Sequence, residues 1–303
     1  MQPMRAIATR AGGGERAEPW LLLGVAILAT SSSAILVRYA QGAPALALAF
    51  WRCALGALCL APWARARLPR MTLRQYLLPI LAGAFLAVHF GTWISSVGLT
   101  TVASAILLVS TTPIFVAAAD RMLFGIRLTQ RGWAGIVLAI AGVGTIGGGD
   151  FAGGSIAGDG LALAGAVAAA GYLMAGQRAR RDLGTLEYAA LAYGCAAALL
   201  LVACGIAGVP LWGWSGRTWL VVALMAAGPQ LLGHTMINFV LKAFDATTVT
   251  VTVMLEPVVT IVLAFFFLGE VPSPLVLPGG LAILAGIYAV ARSQRSAGAP
   301  VGT

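Results

Sequence analysis

Apolar stretches of roughly twenty residues recur along this chain from Trp20 to the neighbourhood of Arg292, joined by short polar links. A helix needs ~20 such residues to cross a ~30 Å hydrocarbon core, and inside that core each backbone N–H and C=O must be satisfied within the protein. The runs are continuously apolar rather than alternating in ~10-residue pieces, so they read as helices and not barrel strands. Ten are read, over residues 20–38, 44–63, 76–98, 101–120, 132–149, 157–177, 186–208, 217–241, 247–268 and 273–291. Composition agrees, because only 10% of the 303 residues are charged, against roughly a quarter in an ordinary soluble domain.

The first run follows Arg5, Arg10 and Arg16, which raises the rival reading of a cleaved signal peptide. It continues through Ser31, Ser32 and Ser33 to Arg38, longer than a usual signal core, and is expected to be retained. The four cysteines, Cys53, Cys59, Cys195 and Cys204, all fall inside apolar runs, where a thiol behaves as a small hydrophobe, so neither a disulfide framework nor a metal site is expected. A net charge of +9 could suggest nucleic acid, but no water-facing module gathers it. Counted by link, 16 of the 19 Lys and Arg residues fall on one side of the ten-span arrangement; Arg38 and Arg217 fall on the other and Arg52 inside a span. The positive-inside rule then predicts that both termini are cytoplasmic.

The chain also repeats itself. At an offset of 144, Pro113 matches Pro257, Gly125 matches Gly269, Gly135 matches Gly279, Ala141 matches Ala285 and Gly142 matches Gly286. Earlier, Arg38 pairs with Arg178 at 140, and His89 with His234 at 145. Five spans per half is an odd number, so the second half enters the membrane from the opposite side and the repeat is inverted. Secondary transporters recurrently use this plan, with the substrate near the midplane between halves. The expected divisions are a tail at 1–19, repeats at 20–150 and 151–292, and a tail at 293–303.

These residues resemble a known family. LEPVVTIVLAFFFLGE with the following GGLAILAGI, and LALAFWRCALGALCL with Arg52 at its arginine, are similar to the EamA-like branch of the drug/metabolite transporter superfamily. The resemblance spans roughly Trp20 to Arg292 and implies ten helices as two inverted five-helix repeats. It implies a secondary transporter of the inner, or plasma, membrane that exports small organic metabolites by alternating access. Aromatic and neutral amino acids are the expected cargo, with nucleosides, drugs and other metabolites as alternatives. The partners expected are a small-molecule substrate and the bilayer, with or without a coupled proton, in a monomer or weak homodimer; no cofactor is expected. One departure is that Ile126 stands where the second repeat has Glu270.

The chemistry is sparse and therefore easy to locate. Glu256 lies near mid-membrane, where a carboxylate must be paired, wetted or protonated. It could contact a substrate amino group or a proton, or form a structural ion pair with Arg52. Pro257 and Pro113 each withdraw a backbone donor, from Val253 and Val109 respectively, so both repeats should break a helix at matching depth. Gln230, His234, Asn238 and Lys242, spaced by four, form one stripe; His234 and Asn238 are the deeper cavity candidates and Lys242 a snorkelling cation. His89 and Trp93, also four apart, could bind or gate, or bond and pack against neighbours. Trp51, Tyr172 and Ser110 to Thr112 are further candidates, and Ser31 to Ser33 suit close helix approach. An intramembrane enzyme is the rival class. Neither histidine begins an HExxH, no GxSxG occurs, and no phosphate loop precedes the single lysine, so neither an enzyme nor an ATP-driven pump is favoured.

Overall fold

The structure, a computed structural model, describes residues 17–40, 42–97, 99–147, 155–269 and 271–297. Arg5, Arg10, Arg16, Glu270 and the expected boundary between residues 150 and 151 lie outside the described residues. Those described are helical, with no strand among them. The first half comprises α1 (Ala17–Tyr39), α2 (Ala45–Ala64), α3 (Leu73–Val97), the short α4 (Val102–Val109) and α5 (Thr112–Phe124), and α6 (Gln130–Ile146). The second comprises α7 (Ile156–Ala179), α8 (Thr185–Ile206), α9 (Gly216–Met225), a π-helical segment (Ala226–His234), α10 (Thr235–Val240), α11 (Ala246–Val253), α12 (Glu256–Leu268) and α13 (Val276–Ala297). Among the described residues, nine helical stretches are long and apolar enough to span a membrane; α6, with 17 residues, is the shorter tenth candidate.

Polar residues at the links set where helices begin. Thr101, Thr129, Ser155, Ser215 and Asp245 each accept a hydrogen bond from a backbone N–H of the following first turn, satisfying a donor that the helix itself leaves open. At matching places α5 and α12 end on Gly125 and Gly269, whose φ angles of 68° and 69° lie in the left-handed region that glycine adopts without strain. Large apolar side chains such as Leu277, Phe266 and Ile156 point outward, as a lipid-facing belt requires.

The helix ends sort onto two faces. On the arginine-rich face the Arg178 guanidinium lies 3.3 Å from the Phe124 ring centroid, Arg67 pairs with Glu187 at 3.4 Å, and Trp20 meets Phe244. On the other, Tyr39 Oη donates to the Phe267 carbonyl at 2.7 Å, and Thr100 Oγ1 donates to Asp159 at 2.6 Å. The C-terminal end of α5 is therefore on one face and that of its repeat partner α12 on the other. The halves run in opposite senses.

The pairing of α6 with α13 carries the same symmetry. A Cβ on Gly135 would come within 2.7 Å of the Gly286 carbonyl oxygen, and one on Gly142 within 2.5 Å of that of Gly279; each partner glycine is confined in return. Because Gly135 corresponds to Gly279 and Gly142 to Gly286, the two contacts exchange under a two-fold axis. Ile136, Ala139 and Val143 of α6 pack there against Ile283 and Val290 of α13. Elsewhere α3 packs between α7 and α8, α2 lies along α8, and α1 crosses the π segment and α12.

Candidate functional site

Both repeats interrupt one helix by the same means. Pro113 and Pro257 occupy the second helical position of α5 and α12, so the absent amide falls where a new helix starts, and two residues with helical but flattened geometry separate it from α4 or α11. The repair differs. Thr112 Oγ1 donates to the Val109 carbonyl at 2.7 Å, the acceptor that Pro113 leaves open. Glu256 holds the place of Thr112 and, when ionised, has nothing to donate; no side chain among the described residues bonds the Val253 carbonyl. The Glu256 backbone carbonyl accepts from Ser31 Oγ of α1 at 3.2 Å, and Thr260 Oγ1 returns a bond to the Ser31 carbonyl, also at 3.2 Å. Ser31 thus ties α1 to α12. Thr30 of α1 lies against the Glu256 carboxylate, which is half-buried.

A third interruption was not read from the sequence. Pro229 stands in the middle of the eighth run and cannot donate to the residue a turn before it. The chain there widens into i→i+5 bonding, so that the Thr235 N–H reaches the Gln230 carbonyl. The extra residue in the turn displaces the four-residue stripe. Gln230 is turned fully inward against α2, where Gly56 makes room: a Cβ at Gly56 would lie 3.0 Å from the Gln230 Cγ. Asn238 is buried, His234 half-buried and Lys242 exposed.

Gln230 accounts for the buried Arg52. Its Oε1 accepts from Arg52 Nε at 2.8 Å; Arg52 Nη1 donates to Ser33 at 3.3 Å, and the guanidinium carbon lies 4.4 Å from the Phe90 ring centroid. No ion pair joins Arg52 to Glu256 among the described residues. The guanidinium's near contacts are thus an amide, a hydroxyl and an aromatic face.

The repeat-related histidines meet across Phe90, whose ring centroid is 5.3 Å from that of His89 and 5.5 Å from that of His234. His89 Nδ1 lies 2.9 Å from the Gly165 carbonyl; a carbonyl only accepts, so Nδ1 carries the proton and Nε2 is left as an acceptor. Its ring lies parallel to Trp93 at 6.2 Å. Tyr172 Oη donates to Asn238 Oδ1 at 2.9 Å, and Asn238 Nδ2 to Tyr193 at 3.4 Å, so these residues satisfy each other in a closed buried network. Among the described residues, three side-chain nitrogens, Trp93 Nε1, Gln230 Nε2 and His234 Nδ1, are buried with no protein partner. Sequence reasoning missed Phe90, Tyr193 and Thr30. Tyr193 and Thr30 are polar groups in apolar runs and so leave a weak signal; a phenylalanine among phenylalanines leaves none.

A bundle of apolar helices built twice in opposite senses, with a buried polar centre between paired helix breaks, has the architecture of a polytopic membrane transporter. The pattern of the EamA-like transporter family matches residues 17–148 and again 156–292, and the chain belongs to that family, within the drug/metabolite transporter superfamily. Its members are membrane transporters of small molecules rather than enzymes. No curated protein matches the chain. Twenty-nine solved chains do; one, a crystal structure of a protein 23% identical, superposes with a TM-score of 0.77 over 92% of this chain and 99% of its own, which shows a shared fold.

Proposed function

We propose that this chain exports small organic metabolites, aromatic and neutral amino acids foremost, across the inner membrane, with both termini in the cytoplasm. Substrate is held among His89, Trp93, Tyr172, His234, Asn238 and Glu256, and the breaks at Pro113 and Pro257 let the halves rock between two access states. The observation that carries the reading is the unequal balance at the centre. The membrane-spanning helices carry a half-buried carboxylate, Glu256, against three buried nitrogens without protein partners and a guanidinium buried over the Phe90 ring. An α-amino acid supplies the missing halves, an ammonium for Glu256 and a carboxylate for the open donors, and an aromatic or apolar side chain suits Phe90 and Trp93.

The test is counterflow in proteoliposomes with radiolabelled amino acids, nucleosides and sugars, with and without a pH gradient. Phenylalanine, tryptophan and the neutral aliphatic amino acids should exchange fastest. Exchange of nucleosides alone would redirect the substrate assignment, and no exchange of any solute would sink the transporter reading. Rates that ignore the gradient would exclude proton coupling through Glu256 or the histidines.

A further inference from the structure

Away from the centre, on the arginine-rich face, a cavity of about 370 Å³ opens between the first turn of α3 and the last turn of α7 with the link that follows it. Its polar lining is Thr72, Arg74, Gln75, Arg178, Arg181 and Asp182, with Leu78 and Leu183 as apolar wall. Gln75 is committed, its Oε1 accepting from the Thr72 N–H at 2.8 Å and from the Thr72 hydroxyl at 3.2 Å. Two of the three guanidiniums are not. Arg74 and Arg181 form no ion pair or side-chain hydrogen bond with any described residue, and Arg178 rests on Phe124, drawn to Asp120 and repelled by Arg181.

Helix stability explains only some of this. Arg178 and Arg181 stand near the C-terminal end of α7, where a cation is favoured, but Arg74 stands in the first turn of α3, where a cation is disfavoured and no acid accompanies it. Three like charges thus converge from two helices on one concavity that offers a single exposed acid. Of the other arginines on this face, Arg65 and Arg121 are exposed like Arg74 and Arg181 but do not line the cavity, and Arg67 has Glu187.

We infer that this cavity binds an anionic phosphate group. Guanidiniums match phosphate oxygens in forked, charge-assisted pairs, and an anion between Arg74, Arg178 and Arg181 would relieve their mutual repulsion. The site lies where two spans reach the membrane surface, and its apolar wall suits the glycerol and acyl root of a lipid. The phosphate therefore comes from an anionic phospholipid headgroup or from a soluble phosphate ester.

The test is native mass spectrometry of the delipidated full-length protein, titrated in parallel with phosphatidylglycerol, phosphatidylcholine and glycerol 3-phosphate. Wild type should take up phosphatidylglycerol or glycerol 3-phosphate at about tenfold lower concentration than zwitterionic phosphatidylcholine. Arg74→Gln with Arg181→Gln should abolish that preference, Arg74→Lys with Arg181→Lys should restore some of it, and Arg65→Gln with Arg121→Gln should leave it intact. Uptake of the lipid that glycerol 3-phosphate does not displace identifies a headgroup; displacement identifies a soluble ester. Equal uptake of all three by wild type overturns the inference, as does a preference that survives the Arg74/Arg181 glutamine pair. Thermal unfolding of each variant shows whether a lost preference comes from the site or from a lost fold.

Discussion

Thr112 and Glu256 occupy the same place in the two repeats, each just before the proline that breaks its helix, and differ in what they can do for the carbonyl the proline abandons. The threonine hydroxyl bonds the Val109 carbonyl, whereas among the described residues no side chain bonds that of Val253. Glu256→Thr should therefore copy the repair of the first repeat and stabilise the protein by about 1 kcal/mol, the usual net gain of such a bond. It should also reduce export at least about tenfold, because a carboxylate opposing a substrate ammonium contributes more than a neutral group can. Glu256→Gln should lose export similarly without the gain in stability. Melting temperatures in detergent and flux in proteoliposomes separate the two effects; wild-type flux in Glu256→Thr would remove the carboxylate from the mechanism. Arg52 is a different case, since Gln230, Ser33 and Phe90 all engage it at once. Lysine keeps the charge but not the planar fork, so Arg52→Lys should destabilise by about 1–3 kcal/mol through unpaired buried groups, read as a lowered melting temperature.

At the scale of elements, the glycines of α6 and α13 and the proline of the π segment do opposite work, one closing two helices together and the other loosening one. Gly142→Val would drive a methyl-bearing carbon into the Gly279 carbonyl 2.5 Å away, with backbone rather than a flexible side chain in its path. A loss of about 1–3 kcal/mol or more is expected, as for overpacked cores, and Gly135→Val should behave alike because the contacts are two-fold related. Similar melting losses at both positions support the seam; no loss at either would remove it. These glycines were legible in the sequence, since a repeat preserves spacing and spacing marks architecture, and so were nine apolar spans, whose described ends agree within several residues. The π segment was not read. Period-four counting assumes an unbroken α-helix, and it placed Gln230 in a stripe leading to Lys242 when the widened turn sends it to Arg52 instead. Nor could spacing show that Tyr172 and Asn238 satisfy each other, because their partnership joins residues 66 apart.

Among the described residues, contacts at both ends of the bundle join one repeat to the other. On the arginine-rich face these include Arg178 with Phe124, Asp120 with Thr247, Arg67 with Glu187 and Trp20 with Phe244; on the opposite face they include Thr100 with Asp159 and Tyr39 with Phe267. The proposed rocking of inverted halves would have to separate either set while the other holds, since separating both would open a continuous path and separating neither would trap the substrate. Fixing either end should therefore stop turnover without unfolding the protein. In a background where Cys53, Cys59, Cys195 and Cys204 are replaced, Thr100→Cys with Asp159→Cys gives a pair that oxidation can join across the face opposite the arginines. Oxidation should abolish exchange, and dithiothreitol should restore it. With that end locked, Arg178→Ala should weaken the remaining closure, so that Thr247→Cys is alkylated faster by a membrane-impermeant maleimide applied to the arginine-rich side. Undiminished exchange by fully cross-linked protein would mean that this end need not separate, and a mechanism of rocking halves would have to be abandoned.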